Sequence, residues 1–163
     1  MSARWKPSVT VAAIVHSDGR FLLVEEQTPE GLRLNNPAGH LDPGESPQQG
    51  AVREALEETA RVFVPDRLVG VYLARFQRPA SGEDVTYLRF AYGGTVGEPD
   101  PARALDTGIV RTLWMTLDEL RASRTRHRSA LVLQCVEDFV RGQRFPLDMV
   151  YCDPSVQTPE IKQ

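Results

Sequence analysis

One helix constrains this chain more than anything else in it. Ser46 suits an N-cap, Pro47 suits the first helical position, and Gln49 stands where it completes a capping box. The helix opened there is expected to run to about Ala60. Projected at about 100° per residue with Glu54 as origin, Glu57 falls near about −60° and Glu58 near about +40°. Three carboxylates therefore share an arc of about 100° on one face. Val52, Ala55, Leu56 and Thr59 lie at roughly 100–200° and form the expected buried face. Gly50 falls inside the acidic arc one turn before Glu54, where a missing side chain leaves room. Like charges at this spacing weaken an isolated helix by some tenths of a kcal/mol per pair, roughly.

An acidic helix face is ordinarily just solvated. Here it has company: Glu45 lies just before the helix, Arg53 sits beside the cluster, and a Gly- and Pro-bearing loop, 37–44, leads in. Hard divalent cations such as Mg²⁺ prefer a few carboxylate oxygens, with water and substrate phosphate completing the shell. Glutamates at i, i+3 and i+4 supply such ligands on a rigid support.

Around this helix the pattern is mostly strand. Residues 9–16 and 21–26 read as a hairpin about Asp18-Gly19, 32–36 as a short strand, and 37–45 as a loop. Residues 68–77 and 85–95 are rich in β-branched and aromatic side chains and read as two more strands, and 109–115 as another. Loops are expected at 78–84 and 97–106. Thr116 and Glu119 cap a short helix through Leu120, and Leu131, Cys135 and Phe139 mark an amphipathic helix over 129–141 that ends at Gly142. Runs of strands with few helices predict an α+β chain, a mixed sheet packed by helices.

The 163 residues suit one domain, expected over 1–152, with 153–163 a polar, loosely attached tail. A net charge of −3 gives no global pull towards nucleic acid or an anionic membrane. The apolar run 11–15 is far too short to span a bilayer, and no cleavage site follows it. Two cysteines, Cys135 and Cys152, make neither a zinc set nor a disulfide framework, so a reducing cytoplasm is expected. A monomer is expected, with a dimer as the alternative.

Gly39, five residues, Glu45, seven residues, Arg53-Glu54, two residues, Glu57-Glu58: in this spacing the chain resembles the Nudix box, G-x5-E-x7-R-E-U-x-E-E-x-G-U, where U is bulky and apolar. The departures are Ala55 at the first U, Ala60 in place of glycine, and Arg61 at the last U. Ala60 would lose about 1–2 kcal/mol in a left-handed helix stop, which leaves the manner of the helix's ending open. The likeness continues through Trp5-Lys6-Pro7, through Pro37-Ala38-Gly39-His40-Leu41, and from Arg128-Ser129 to Leu147, and over 4–150 it looks like the bacterial NudJ-type phosphatases.

The resemblance implies a Nudix fold, an α/β/α sandwich, and a hydrolase of phosphoric anhydrides in small phosphorylated molecules. It implies Mg²⁺, with Mn²⁺ able to substitute, held by Glu54, Glu57, Glu58 and the carbonyl of Gly39. Glu45 would support the cluster and Arg53 would orient it. The general base would be Glu54, or a loop acid, Glu98 or Asp106, of which Asp106 is preferred because it sits just before the strand at 109. Arg128 and Arg144 would clamp phosphate; Phe76, Tyr87 and Trp5 would stack on a ring, and His40 would line the pocket. The subgroup acts on nucleoside tri- and diphosphates, thiamine pyrophosphate and its hydroxymethylpyrimidine pyrophosphate precursor, releasing orthophosphate. A different Nudix pyrophosphohydrolase, of nucleoside triphosphates or sugar nucleotides, and a catalytically silent nucleotide-sensing module are the alternatives; a silent module commonly lacks the box glutamates, all of which are present here.

Overall fold

The hairpin that opens the chain joins two halves of a sheet. In a computed structural model describing residues 2–157, β1 (Ser8–Ser17) and β2 (Arg20–Thr28) pair only at His16–Phe21 and Ser17–Arg20. Asp18 and Gly19 turn the chain with φ of 50° and 75°, the two left-handed residues of a type I′ turn. Beyond it the strands part. β1 runs parallel to β6 (Asp84–Val96) and antiparallel to the three-residue β4 (Ala38–His40). β2 runs antiparallel to both β3 (Gly31–Asn35) and β7 (Ile109–Met115). β5 (Phe63–Gln77) pairs antiparallel with β6, giving the order β3-β2-β1-β6-β5, with β4 on β1 and β7 on β2.

The uninterrupted apolar run 11–15 follows from burial of β1 on both faces. Val11, Ala13 and Val15 enter one core with Ala51, Ala55, Phe63 and Tyr92, beneath α1 (Pro47–Thr59). Ala12 and Ile14 enter the other with Leu120, Val132, Cys135 and Val136, beneath α2 (Leu117–Ala122) and α3 (Leu131–Val140). Both expected capping boxes are present, at Ser46–Gln49 and Thr116–Glu119. The chain is thus an α+β protein, a mixed sheet between helices. Among the described residues no helix is long and apolar enough to cross a membrane.

Three local expectations are corrected, and the helix ending that the sequence left open is resolved. Residues 38–40, read as loop, form β4, because β1 offers Thr10, Val11 and Ala12 as partners. β5 begins at Phe63, five residues before the expected start, with register shifts at Pro65/Arg67 and Leu68/Gly70 that break the period-two pattern. Ala60 does adopt the left-handed stop, at φ 57°, with its N–H bonded to Leu56 O at 2.9 Å and its carbonyl accepting from Asp100 N at 2.8 Å. Residues 154–157 of the expected loose tail form a 3-10 turn, and Gln157 donates to Gln49 Oε1 at 3.1 Å; residues 158–163 lie outside the described residues. Arg61, in place of a bulky apolar residue, lies over the Trp114 ring at 5.5 Å and bonds Gly97 O at 2.8 Å.

Candidate active site

The acidic face of α1 points into the protein. Its buried residues are Gly50, Ala51, Glu54, Ala55, Glu58 and Thr59, whereas Val52 and Leu56, expected within the buried face, are only half-buried. The helix is rotated by about 100°, one residue's worth, from the expected orientation. Two glycines permit this. A Cβ on Gly39 would overlap the Glu54 carboxylate, and one on Gly50 would stand 2.9 Å from Glu45 Oε1.

Arg53 is the hub of the cluster. Its Nε and Nη2 donate to the two oxygens of Glu45 at 2.9 and 2.8 Å, its Nη1 to Glu54 at 2.8 Å and Glu57 at 3.0 Å, and its Nη2 to His40 O at 3.0 Å. These charge-assisted bonds fasten the loop 40–45 to the helix. Arg53 holds Glu45 below the usual carboxylate range, helped by the Asp42 amide and against burial.

Glu54 and Glu58 are the strained members. Burial, assisted by Glu57 and Asp106, pushes Glu54 up although Arg53 opposes it. Burial, then the charges of Glu54 and Glu26, push Glu58 up to about 9. Glu58 accepts from the amide of Ala38, and its Oε2 is buried with no hydrogen-bond partner among the described residues. Glu54 has only Arg53, which it shares with Glu45 and Glu57, and Glu58 has an orphaned oxygen and no cation partner among the described residues, so a hard divalent cation would supply the missing charge. The residues present therefore fit such an ion. Among the described residues no three acidic, His or Cys side chains yet converge as a cage; Arg53 holds Glu54 and Glu57 instead.

A cavity of about 460 Å³ adjoins this cluster along Ala38 and Gly39. His40, Phe76, Tyr87 and Arg128 line it. Arg128 Nη1 donates to Glu26 Oε1 at 2.9 Å, and its backbone N–H to Leu34 O at 2.8 Å, which pins that wall to β3. His127 also lines the cavity, and burial, with the charges of Arg124 and Arg126, pushes its imidazole down. Asp106 is brought to the cluster, its N–H donating to Glu57 O at 2.9 Å and its charge acting on Glu54.

Three expected contacts lie elsewhere. Arg144 is outside the cavity lining: it sits near Asp66, because Phe145 bridges to Leu68, roughly 20 Å along β5 from the residue opposite Tyr87 at 3.3 Å per residue. Glu98 lines a separate cleft with Arg61 and Trp114, and Trp5 is 69% exposed and outside the cavity lining. The sequence reading missed Glu26 and Arg89, which both line the cavity. Glu26 is on a strand predicted from its apolar neighbours, and Arg89 interrupts an apolar strand, the one signal that would have found it.

The Nudix domain model matches residues 5–134. Phosphatase NudJ of Escherichia coli (strain K12) is 34% identical over 147 residues, 90% of this chain and 92% of that protein. A Nudix hydrolase from Nitrosomonas europaea is 49% identical with a TM-score of 0.82, over 91% of this chain and 98% of that one. A MutT Nudix hydrolase from Burkholderia pseudomallei, 20% identical with a TM-score of 0.66 over 82% of this chain and 98% of its own, shares the fold.

Proposed function

The chain belongs to the Nudix family and is a hydrolase of phosphoric anhydrides, and from that premise we propose that it is a Mg²⁺-dependent phosphatase of nucleoside tri- and diphosphates and of thiamine or hydroxymethylpyrimidine pyrophosphate. The observation that carries this is the inward-facing pair Glu54, packed against Gly39, and Glu58, bonded to the Ala38 amide, beside a cavity of about 460 Å³. NudJ-like relatives spanning nine-tenths of the chain support the phosphatase activity. In the same reading residues 1–152 act as one cytoplasmic domain.

Glu54, Glu57, Glu58 and the Gly39 carbonyl would hold the metal, which when bound neutralises the diphosphate and acidifies water. Glu45 and Arg53 fix the position of these carboxylates. Asp106, beside Glu54, takes the proton of the attacking water, with Glu54 as the other acceptor. Arg128 turns from Glu26 to a phosphate oxygen, and Phe76, Tyr87 and His40 receive the organic group. Attack on the terminal phosphorus breaks the anhydride and releases orthophosphate.

Two measurements test this. Nucleoside triphosphate incubated with Mg²⁺ should yield orthophosphate; pyrophosphate as the product rejects the phosphatase reading in favour of a pyrophosphohydrolase. Glu58→Gln should lower kcat by about three orders of magnitude, roughly 4 kcal/mol in the barrier, with an unaltered circular dichroism spectrum. Near-normal turnover in that variant rejects the ligand assignment.

A further inference from the structure

The cavity wall contains a cation that the mechanism does not use. Arg89 on β6 is 6% exposed. Its Nη1 donates to Asn36 Oδ1 at 2.8 Å and its Nη2 to Asn35 Oδ1 at 3.1 Å, and the Cys135 thiol lies against it. Arg128 and Arg78, on the same wall, are paired with Glu26 and Glu83. Arg89 has no such partner: among the described residues no carboxylate forms an ion pair with it. A buried guanidinium whose neighbours are neutral is costly, and its five N–H donors exceed what those neighbours take.

Position decides what it meets. Arg89 stands opposite Thr10, and Thr10 opposite His40, in one cross-strand row. Two strand spacings, about 9–10 Å, separate its backbone from that of β4, where the carboxylates gather. A substrate whose phosphates lie at the Ala38–Gly39 edge therefore presents its other end to Arg89. That end of the cavity is aromatic. Tyr87 shares the face of Arg89 and Phe76 completes that wall, while His40, on β4 beside the carboxylates, holds its ring 6.3 Å from the Tyr87 ring. Asn35 and Asn36 hold the guanidinium plane fixed, as recognition of a planar acceptor edge requires.

We propose that Arg89 is the specificity-determining residue of this cavity, donating to the acceptor edge, ring nitrogen or carbonyl oxygen, of a heteroaromatic group seated against His40, Tyr87 and Phe76. This rests on the hydrolase reading only for which end of the ligand lies at the carboxylates. A phosphate clamp would use the same charge differently, and ligands with and without a ring separate the two.

Calorimetric titration with Mg²⁺ present should compare AMP and thiamine monophosphate, which carry a ring and no anhydride, with inorganic pyrophosphate, which carries no ring. Arg89→Met should weaken AMP and thiamine monophosphate at least tenfold and leave pyrophosphate within twofold. Arg89→Lys, which keeps the charge and loses the planar fork, should do the same and carries the test if the methionine variant does not fold. Equal weakening of pyrophosphate, unchanged ring binding, or recovery with lysine overturns the proposal. Wild-type protein that hydrolyses nucleoside triphosphate yet binds neither ring ligand also overturns it and leaves the hydrolase reading standing. Ring-selective, Arg89-dependent binding without any hydrolysis does the reverse.

Discussion

Gly39 shows how finely the site is fitted. The Glu54 carboxylate occupies the space in which a Cβ would sit, so any side chain there displaces a proposed metal ligand by an ångström or more. Displacements of that size cost about a hundredfold in rate. Gly39→Ala is accordingly expected to lower kcat/KM by about 10², roughly 2.7 kcal/mol, with little change in KM; a steady-state comparison showing activity within threefold of wild type would exclude the fit described. Gly39, Glu45, Arg53 and the three helix glutamates were legible because spacing along one helix and one loop is a local property. Arg144 was not placed correctly, because its neighbourhood depends on Phe145 docking against Leu68, a contact across 77 residues of chain.

The end of α1 is the element where sequence preference and structure conflict. Ala60 sits in the left-handed region at φ 57°, 5% exposed, held by hydrogen bonds to Leu56 and from Asp100. The strain is about 1–2 kcal/mol for a residue with a Cβ, and glycine relieves it while giving up one buried methyl. Ala60→Gly should therefore raise the melting temperature by about 2 °C for a chain of this size, read from thermal denaturation by circular dichroism. A fall would mean that packing of the methyl outweighs the backbone strain. β4 illustrates the opposite limit: three residues carry no period of their own, and only the neighbouring β1 makes them a strand.

Across the whole molecule, Glu25 ties β2 and β7 to the 3-10 turn beside the cavity wall. On β2, 5% exposed, it accepts from Arg111 Nε of β7 at 3.2 Å and from Arg126 of the 3-10 turn Arg124–Arg126. Burial pushes its carboxyl up, but the hydrogen bonds and charges of Arg111 and Arg126 outweigh this and leave it below the usual range. Its contribution to stability is complete above the unfolded carboxylate pKa of about 4.3 and is lost as pH falls through the lower folded value. Glu25→Gln should cost about 2 kcal/mol at pH 7 by urea denaturation and flatten the decline in stability below about pH 4; an equally steep decline would exclude Glu25 as its source. By itself the sequence determined the chemistry of the acidic helix, both capping boxes and the α+β class, because 3.6-residue and two-residue periods and capping hydrogen bonds act over a few neighbours. Only the tertiary structure decided that the helix turns its glutamates inward, that Asp106 docks on Glu57, and that Arg89 is buried without a counter-charge, since each follows from which distant strands pack together.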